Sequence, residues 1–325
     1  MIAAAGIPSP PLEWSRLELG PITIHTYALC IVAGIVLATL WTNHRLTRRG
    51  GEPWVVIDII LWAIPLGLLG ARLYHVITHP GDFFYDGADP MRIFYIWEGG
   101  NAIIGALLGG ALGAWIGCRL AGIRLLSFGD ALAPAMLLAQ AVGRLGNWFN
   151  HELFGWPTGL PWGLQIEPSN PAIPAGIPAG TLFHPTFLYE SLWNLAGVAL
   201  LLLLDRRLHL RHGAMLWAYV AWYTLGRVWI EMLRIDDAEM ITLFGVTQRL
   251  NVWTSLLLLL VALVMLVWTV AARGAIGPRT PERDDVWLPG RAPAVAAGAQ
   301  GRAGVSGHTA DDEGGSALGG SHARR

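Results

Sequence analysis

The sequence contains no lysine: all 22 basic residues are arginine. Charged residues make up only 14% of the chain, against roughly 25% in a soluble domain. The formal net charge is −1, so no global basic field marks a nucleic-acid binder. There are two cysteines, Cys30 and Cys118, each inside an apolar run. They read as small core residues and not as a disulfide framework or a metal pair. No phosphate loop or dinucleotide fingerprint occurs, and no serine has a nucleophile-elbow context. His151-Glu152 lacks a second histidine four positions after the first, which excludes the zinc-protease helix. His75 and His79 stand i, i+4, but no third ligand has recognisable spacing. No metal and no cofactor is therefore expected. The N-terminus has no basic segment followed by an apolar run and a cleavage site, so no removable signal peptide is expected.

What the chain has is apolar length. Hydrophobic residues reach 54%, and there are sixteen tryptophans, a residue that favours membrane interfaces. Seven segments approach the 20 or so apolar residues needed to span a bilayer: 22–42, 54–77, 100–118, 127–147, 186–204, 214–234 and 251–272. The fourth and sixth carry polar groups. Residues 150–185 are rich in proline and glycine and read as an extramembrane arm. Beyond Gly274 the composition turns to Gly, Ala, Pro, Arg and Asp, which predicts a disordered tail over 273–325. The connecting loops alternate in charge. Arg45, Arg48 and Arg49 fill the first, Asp82, Asp86 and Asp89 the second, Arg119 and Arg124 the third, and Arg206, Arg207 and Arg211 the fifth. Asp236, Asp237 and Glu239 lie in the sixth, and Arg273, Arg279 and Arg283 follow the last span. The positive-inside rule then places the N-terminal segment 1–21 and the arm outside and the C-terminus in the cytoplasm. The expected fold is an all-α polytopic membrane protein of seven transmembrane helices.

Under that topology the polar residues gather near the outer face. Tyr27 opens span one, and Arg72, Tyr74 and His75 end span two. Glu98, Gly99, Gly100 and Asn101 open span three, and Gly99-Gly100 reads as a break in the chain. Arg144, Asn147, Asn150 and Glu152 close span four. His184, Tyr189 and Glu190 open span five, and Tyr223, Arg227, Glu231 and Arg234 share one face of span six. Ionisable groups within a membrane are functional candidates by default. Arg144, Arg227 and Arg72, at similar expected depth with few carboxylates nearby, point to an anionic ligand such as a lipid phosphate. Two plainer readings stay open. Glu231 with its arginines can be a structural ion pair between helices, and Asn147 and Asn150 can cap their own helix end. A transporter for a small anion is the alternative function, although it calls for polar groups through the full thickness.

The run Gly143-Arg144-Leu145-Gly146-Asn147-Trp148-Phe149-Asn150-His151-Glu152-Leu153-Phe154-Gly155 resembles the signature of prolipoprotein diacylglyceryl transferase. His25-Thr26-Tyr27, Gly70-Ala71-Arg72, Trp97-Glu98-Gly99-Gly100, His184-Pro185-Thr186 with Leu188-Tyr189-Glu190, and Tyr223 through Arg227, Glu231 and Arg234 agree in order, so the resemblance covers about residues 15–272. It implies a bacterial plasma-membrane (inner-membrane) enzyme with its site toward the outer leaflet. Such an enzyme moves the diacylglyceryl group of phosphatidylglycerol to the lipobox cysteine of a preprolipoprotein signal peptide and releases glycerol 1-phosphate. It also implies Arg144, Arg227, Tyr27, Glu152 and Asn147 as catalytic residues. Arg72, Asn150, Glu231, Arg234, Gly99, Gly100, His184 and Tyr223 would join Arg144 and Arg227 in holding the lipid. Many members carry a histidine-glycine-glycine after the Trp-acid-Gly-Gly, proposed as the catalytic base. Here Ile104-Gly105-Ala106 stands instead, as in actinobacterial relatives. Either the base lies elsewhere, with Tyr27 or Glu152 as acceptor, or nearby arginines lower the thiol pKa.

Overall fold

The computed structural model describes residues 6–20, 22–85, 87, 89–95, 99–100, 102–277 and 286–291. Seven long helices carry the chain back and forth: α1 (Thr26–Arg48), α2 (Val55–Thr78), α3 (Ile103–Ala121), α4 (Leu125–Phe149), α5 (Thr186–Leu208), α6 (Ala214–Leu233) and α7 (Leu250–Arg273). Six of them are long and apolar enough to cross a membrane; α6, with Arg227 and Glu231 in its second half, is not among these. Their outward faces suit lipid better than water, as shown by Leu107, Leu108, Leu257 and Leu260, each 60% exposed or more.

The fold is not purely helical. Three two-stranded antiparallel hairpins gather at one end, which we call the polar end: β1 (Arg16–Leu19) with β2 (Ile22–His25), β3 (Leu164–Gln165) with β4 (Leu182–Phe183), and β5 (Met240–Leu243) with β6 (Val246–Arg249). Residues 22–25, expected as the start of the first span, are therefore strand. Their alternation Ile-Thr-Ile-His has a period of two, and Thr26 is the first helical residue. The arm between α4 and α5 is ordered. Phe154, Leu164, Ile166, Phe183, Phe187 and Ile235 form its core.

Close helix packing follows from small residues. Gly105, Gly109, Gly113 and Gly117 form an i+4 stripe on α3 against α2. A Cβ at Gly105 or Gly109 would lie 2.1 Å from the carbonyl of Gly70 or Leu66. Helices α5 and α6 are clasped by Trp193 and Trp222. Their rings stack 4.3 Å apart, and each indole N–H donates to the other residue's carbonyl at 3.0 Å. At the opposite, arginine-rich end, buried Asp130 accepts from the Gly213 and Leu216 amides, which caps α6 from a distance.

One segment of the tail departs from what composition predicted. Val286 and Trp287 are buried in a cluster with Leu46, Val56, Ile59, Cys118 and Phe128. The Trp287 indole donates to the Gly50 carbonyl at 2.9 Å, and Leu288 N donates to the Gly122 carbonyl at 2.7 Å. Two apolar residues suffice because they enter a core already built by α1–α4. Residues 278–285 and 292–325 of the tail lie outside the described residues. Truncation after residue 285 is expected to destabilise the protein by about 3 kcal/mol, as for loss of a buried tryptophan, whereas truncation after Arg291 should leave the thermal midpoint unchanged. Thermal unfolding of both forms in the same detergent checks this.

Candidate active site

Helix α4 ends where the signature begins to carry polar groups. Gly146 lets α1 approach, since a Cβ there would lie 2.5 Å from Cδ2 of Tyr27. Gly143 has nothing within 4 Å of that position. Tyr27 is thus held against the α4 turn that carries Arg144 and Asn147. Asn147 is buried; its Oδ1 accepts from Arg144 at 3.3 Å, and its Nδ2 donates to Glu152 Oε1 at 2.7 Å. Asn150 donates to the same Glu152 oxygen at 3.2 Å. The amides hold Glu152 beside Arg144, so they do more than cap the helix.

Glu190, on the first turns of α5, joins the next two arginines. Its carboxylate lies 2.5 Å from Arg144 Nε and accepts from Arg227 Nη1 at 2.7 Å. Arg227 also pairs with Glu231 one turn later. Glu231 is fully buried and further accepts from Arg234 at 3.1 Å, Arg249 at 3.0 Å and Asn251 at 3.1 Å. Asp236 closes the chain, receiving Arg234 at 2.7 Å and Arg249 at 3.0 Å. Burial alone would raise the Asp236 carboxyl, but the two guanidiniums outweigh it and hold it below the usual carboxylate range. The result is one ionic chain running from Glu152 on the arm through α4, α5, α6 and β6.

The expectation of arginines with few carboxylates is corrected here. Glu190, Glu231 and Asp236 accompany Arg144, Arg227, Arg234 and Arg249, because burying bare guanidiniums would cost several kcal/mol each. Arg144 is the most accessible of these four arginines. Its side chain is 22% exposed, against 14% for Arg227. Its Nε and Nη1 are engaged, and among the described residues no partner meets Nη2.

Arg72 does not join this chain. Buried at the end of α2, it donates to the carbonyls of Arg92, Ile93, Gly99 and Gly100 at 2.6 to 3.2 Å. Gly99 and Gly100 both have positive φ, 86° and 67°, and so turn their carbonyls onto it. Arg72 thereby organises the loop before α3. Trp97, Glu98 and Asn101 lie outside the described residues. Tyr223 stacks on Tyr219 with centroids 6.1 Å apart. His184 Nδ1 lies 3.1 Å from the Tyr189 hydroxyl, and burial lowers its pKa. His151 is structural: Nε2 donates to the Pro10 carbonyl at 2.7 Å, and Nδ1 meets Glu167 at 2.6 Å. His75 and His79 stack at 4.5 Å, and no group of three metal-binding side chains occurs among the described residues.

Sequence reasoning left Arg249, Asp236 and Asn251 out of the site. A signal was present: Arg249 ends a loop otherwise marked by Asp236, Asp237 and Glu239, and an arginine there breaks the alternation of loop charge.

Residues 15–268 match the family model for prolipoprotein diacylglyceryl transferase. A phosphatidylglycerol–prolipoprotein diacylglyceryl transferase of Leifsonia xyli is 57% identical over 259 residues, 77% of each chain. One from Streptomyces coelicolor is 50% identical over 267 residues, covering 81% of this chain and 80% of its own. One from Paenarthrobacter aurescens is 51% identical over 266 residues, covering 80% and 82%.

Proposed function

Since the chain belongs to the prolipoprotein diacylglyceryl transferase family, we propose that the ionic chain at its polar end is the site of phosphatidylglycerol-dependent lipid transfer. The protein is a membrane transferase of lipoprotein maturation. The lipobox cysteine sulfur attacks the glycerol carbon that bears the phosphate. A carbon–sulfur bond forms, the carbon–oxygen bond breaks, and the electron pair leaves with glycerol 1-phosphate. The thiol proton is lost to an acceptor or to water. Negative charge grows on the phosphate oxygens, and Arg144 with Arg227 stabilises it in a low-dielectric setting. Arg144 Nη2 meets the phosphate first, and Glu190 holds both guanidiniums in place. Asn147, Asn150 and Glu152 orient Arg144, Glu231 and Arg234 set Arg227 from below, and Tyr27 lines the approach.

In this reading all seven helices span the bacterial plasma membrane. The N-terminus and the arm 150–185 face outward, and the C-terminus is cytoplasmic. The alternation of loop arginines and carboxylates supports that orientation. The observation that carries the proposal is the Glu190 bridge that joins Arg144 of the signature to Arg227 of α6. The confinement of the site to one end disfavours transport of a small anion. The direct test is transfer of radiolabelled diacylglyceryl from phosphatidylglycerol to a lipobox peptide by the purified protein. Absence of thioether product from a folded preparation would overturn it.

The residue in place of the family histidine, Ile104, is 44% exposed on the first turn of α3. If local positive potential activates the thiol, Ile104→His should leave transfer within about twofold at all pH. If a missing base limits the rate, the same change should accelerate transfer tenfold or more below the free-thiol pKa of about 8.5. The first outcome is expected. A pH–rate profile of both forms decides.

A further inference from the structure

At the arginine-rich end a cleft of about 400 Å³ opens between the ends of α1 and α5. Its walls are Trp41, His44, Arg45, Arg48 and Arg49 from α1 and its cap, with Leu202, Asp205, Arg206 and His209 from α5 and its cap. The charges differ in kind. Arg49 is buried and Arg45 half-buried; they reach Asp205 at 3.6 and 3.1 Å, and Arg49 also reaches Asp130 at 3.9 Å. Arg48 and Arg206 are exposed, and among the described residues no carboxylate lies within ion-pair distance of either. Four arginines thus face one aspartate in the wall, with Asp130 behind it.

We propose that this cleft binds the phosphate group of an anionic glycerophospholipid in the leaflet opposite the transfer site. The paired Arg45–Asp205–Arg49 floor fixes the cleft's shape and consumes its own charge. Arg48 and Arg206, one on each wall, remain to clamp an anion from two sides, and an arginine fork fits two phosphate oxygens at once. Trp41, one turn deeper on α1, sets the wall at interfacial level. Leu202 and the lipid-facing flanks of α1 and α5 give acyl chains a surface. Basic pockets between membrane helices on the inner side recognise such headgroups by this chemistry. Charges that merely orient the chain need no such convergence on a cavity, and this distinction is what the test must resolve. The inference rests on the chain spanning a bilayer and is independent of the transfer chemistry.

The variant is Arg48→Gln with Arg206→Gln, which leaves the Arg45, Arg49 and Asp205 pairs intact. Full-length wild type and variant are placed in nanodiscs of phosphatidylcholine containing phosphatidylglycerol, and lipid retained on release into the gas phase is counted by native mass spectrometry. Wild type is expected to retain one more anionic lipid than the variant, whose apparent affinity at that site falls about tenfold. Transfer at saturating phosphatidylglycerol should be unchanged. A second arm titrates inorganic phosphate and glycerol phosphate into lipid-free micelles. Thermal protection of wild type alone by a soluble ester, without a difference in retained lipid, would overturn the lipid assignment and give the cleft a soluble occupant instead. Equal lipid retention with no differential protection would overturn the proposal and leave these arginines as orienting charges only.

Discussion

Arg144→Ala is expected to lower lipid transfer by at least about a hundredfold, the usual cost of removing one preorganised donor from a developing oxyanion, while the protein still inserts and folds. Arg144 is the most exposed of the four arginines in the ionic chain, and its loss leaves Glu190 still paired with Arg227. The defect should therefore lie in turnover and not in stability. Arg227→Ala should abolish transfer as well, but for two reasons. It removes a proposed phosphate ligand, and it strips a partner from both Glu190 and fully buried Glu231. Its melting temperature should fall, so activity must be compared per folded molecule. Arg144→Lys should recover little, because an ammonium cannot bridge Glu190, Asn147 and a phosphate as a fork does. Single-turnover transfer from labelled phosphatidylglycerol to a lipobox peptide is the measurement. Near-wild-type turnover by Arg144→Ala would remove the phosphate-holding role.

Arg249→Met is expected to destabilise the protein by about 3 kcal/mol, the scale for breaking a buried ion pair on one side. Arg249 is buried and donates to Glu231, to Asp236 and to the carbonyls of Arg234 and Asp236. Without it, Asp236 keeps only Arg234, and Glu231 draws harder on Arg227. Transfer should drop at temperatures where wild type is stable, through Arg227. Adding Asp236→Asn should restore part of the lost stability, since one of the uncompensated carboxylates is then gone. A thermal midpoint for Arg249→Met within 1 °C of wild type would show that this arginine is peripheral.

The depth at which polar groups interrupt apolar runs was legible in the chain itself. Arg144, Arg227, Glu231 and Arg234 stand out there because a membrane segment tolerates such residues only at a cost. The segment ends followed from the same contrast, which is local: α2, α5 and α7 begin and end within a few residues of the apolar runs. Short strands were not legible, because four residues such as Ile22–His25 continue an apolar run without a break in composition. Nor was the Val286–Trp287 clasp, since two apolar residues in a polar tail carry no periodicity.

Tertiary structure alone decided who pairs with whom. Sequence spacing could set Arg227 over Glu231 on one helix, since i and i+4 share a face. It could not bring Glu190 of α5 between Arg144 and Arg227, swing Arg249 from a hairpin onto Glu231, or turn Arg72 away onto the carbonyls of Gly99 and Gly100. Those pairings depend on how closely the helices pack, and that is fixed where glycine meets a neighbour, as at Gly146 against Tyr27. Composition and periodicity determine that this chain enters a membrane and roughly where its ionisable groups lie. Which of those groups are already neutralised, and which nitrogens of Arg144 are already engaged, is a matter of ångström distances between helices far apart in sequence. A buried charge is stable only with a partner in place, and only the packed fold supplies one.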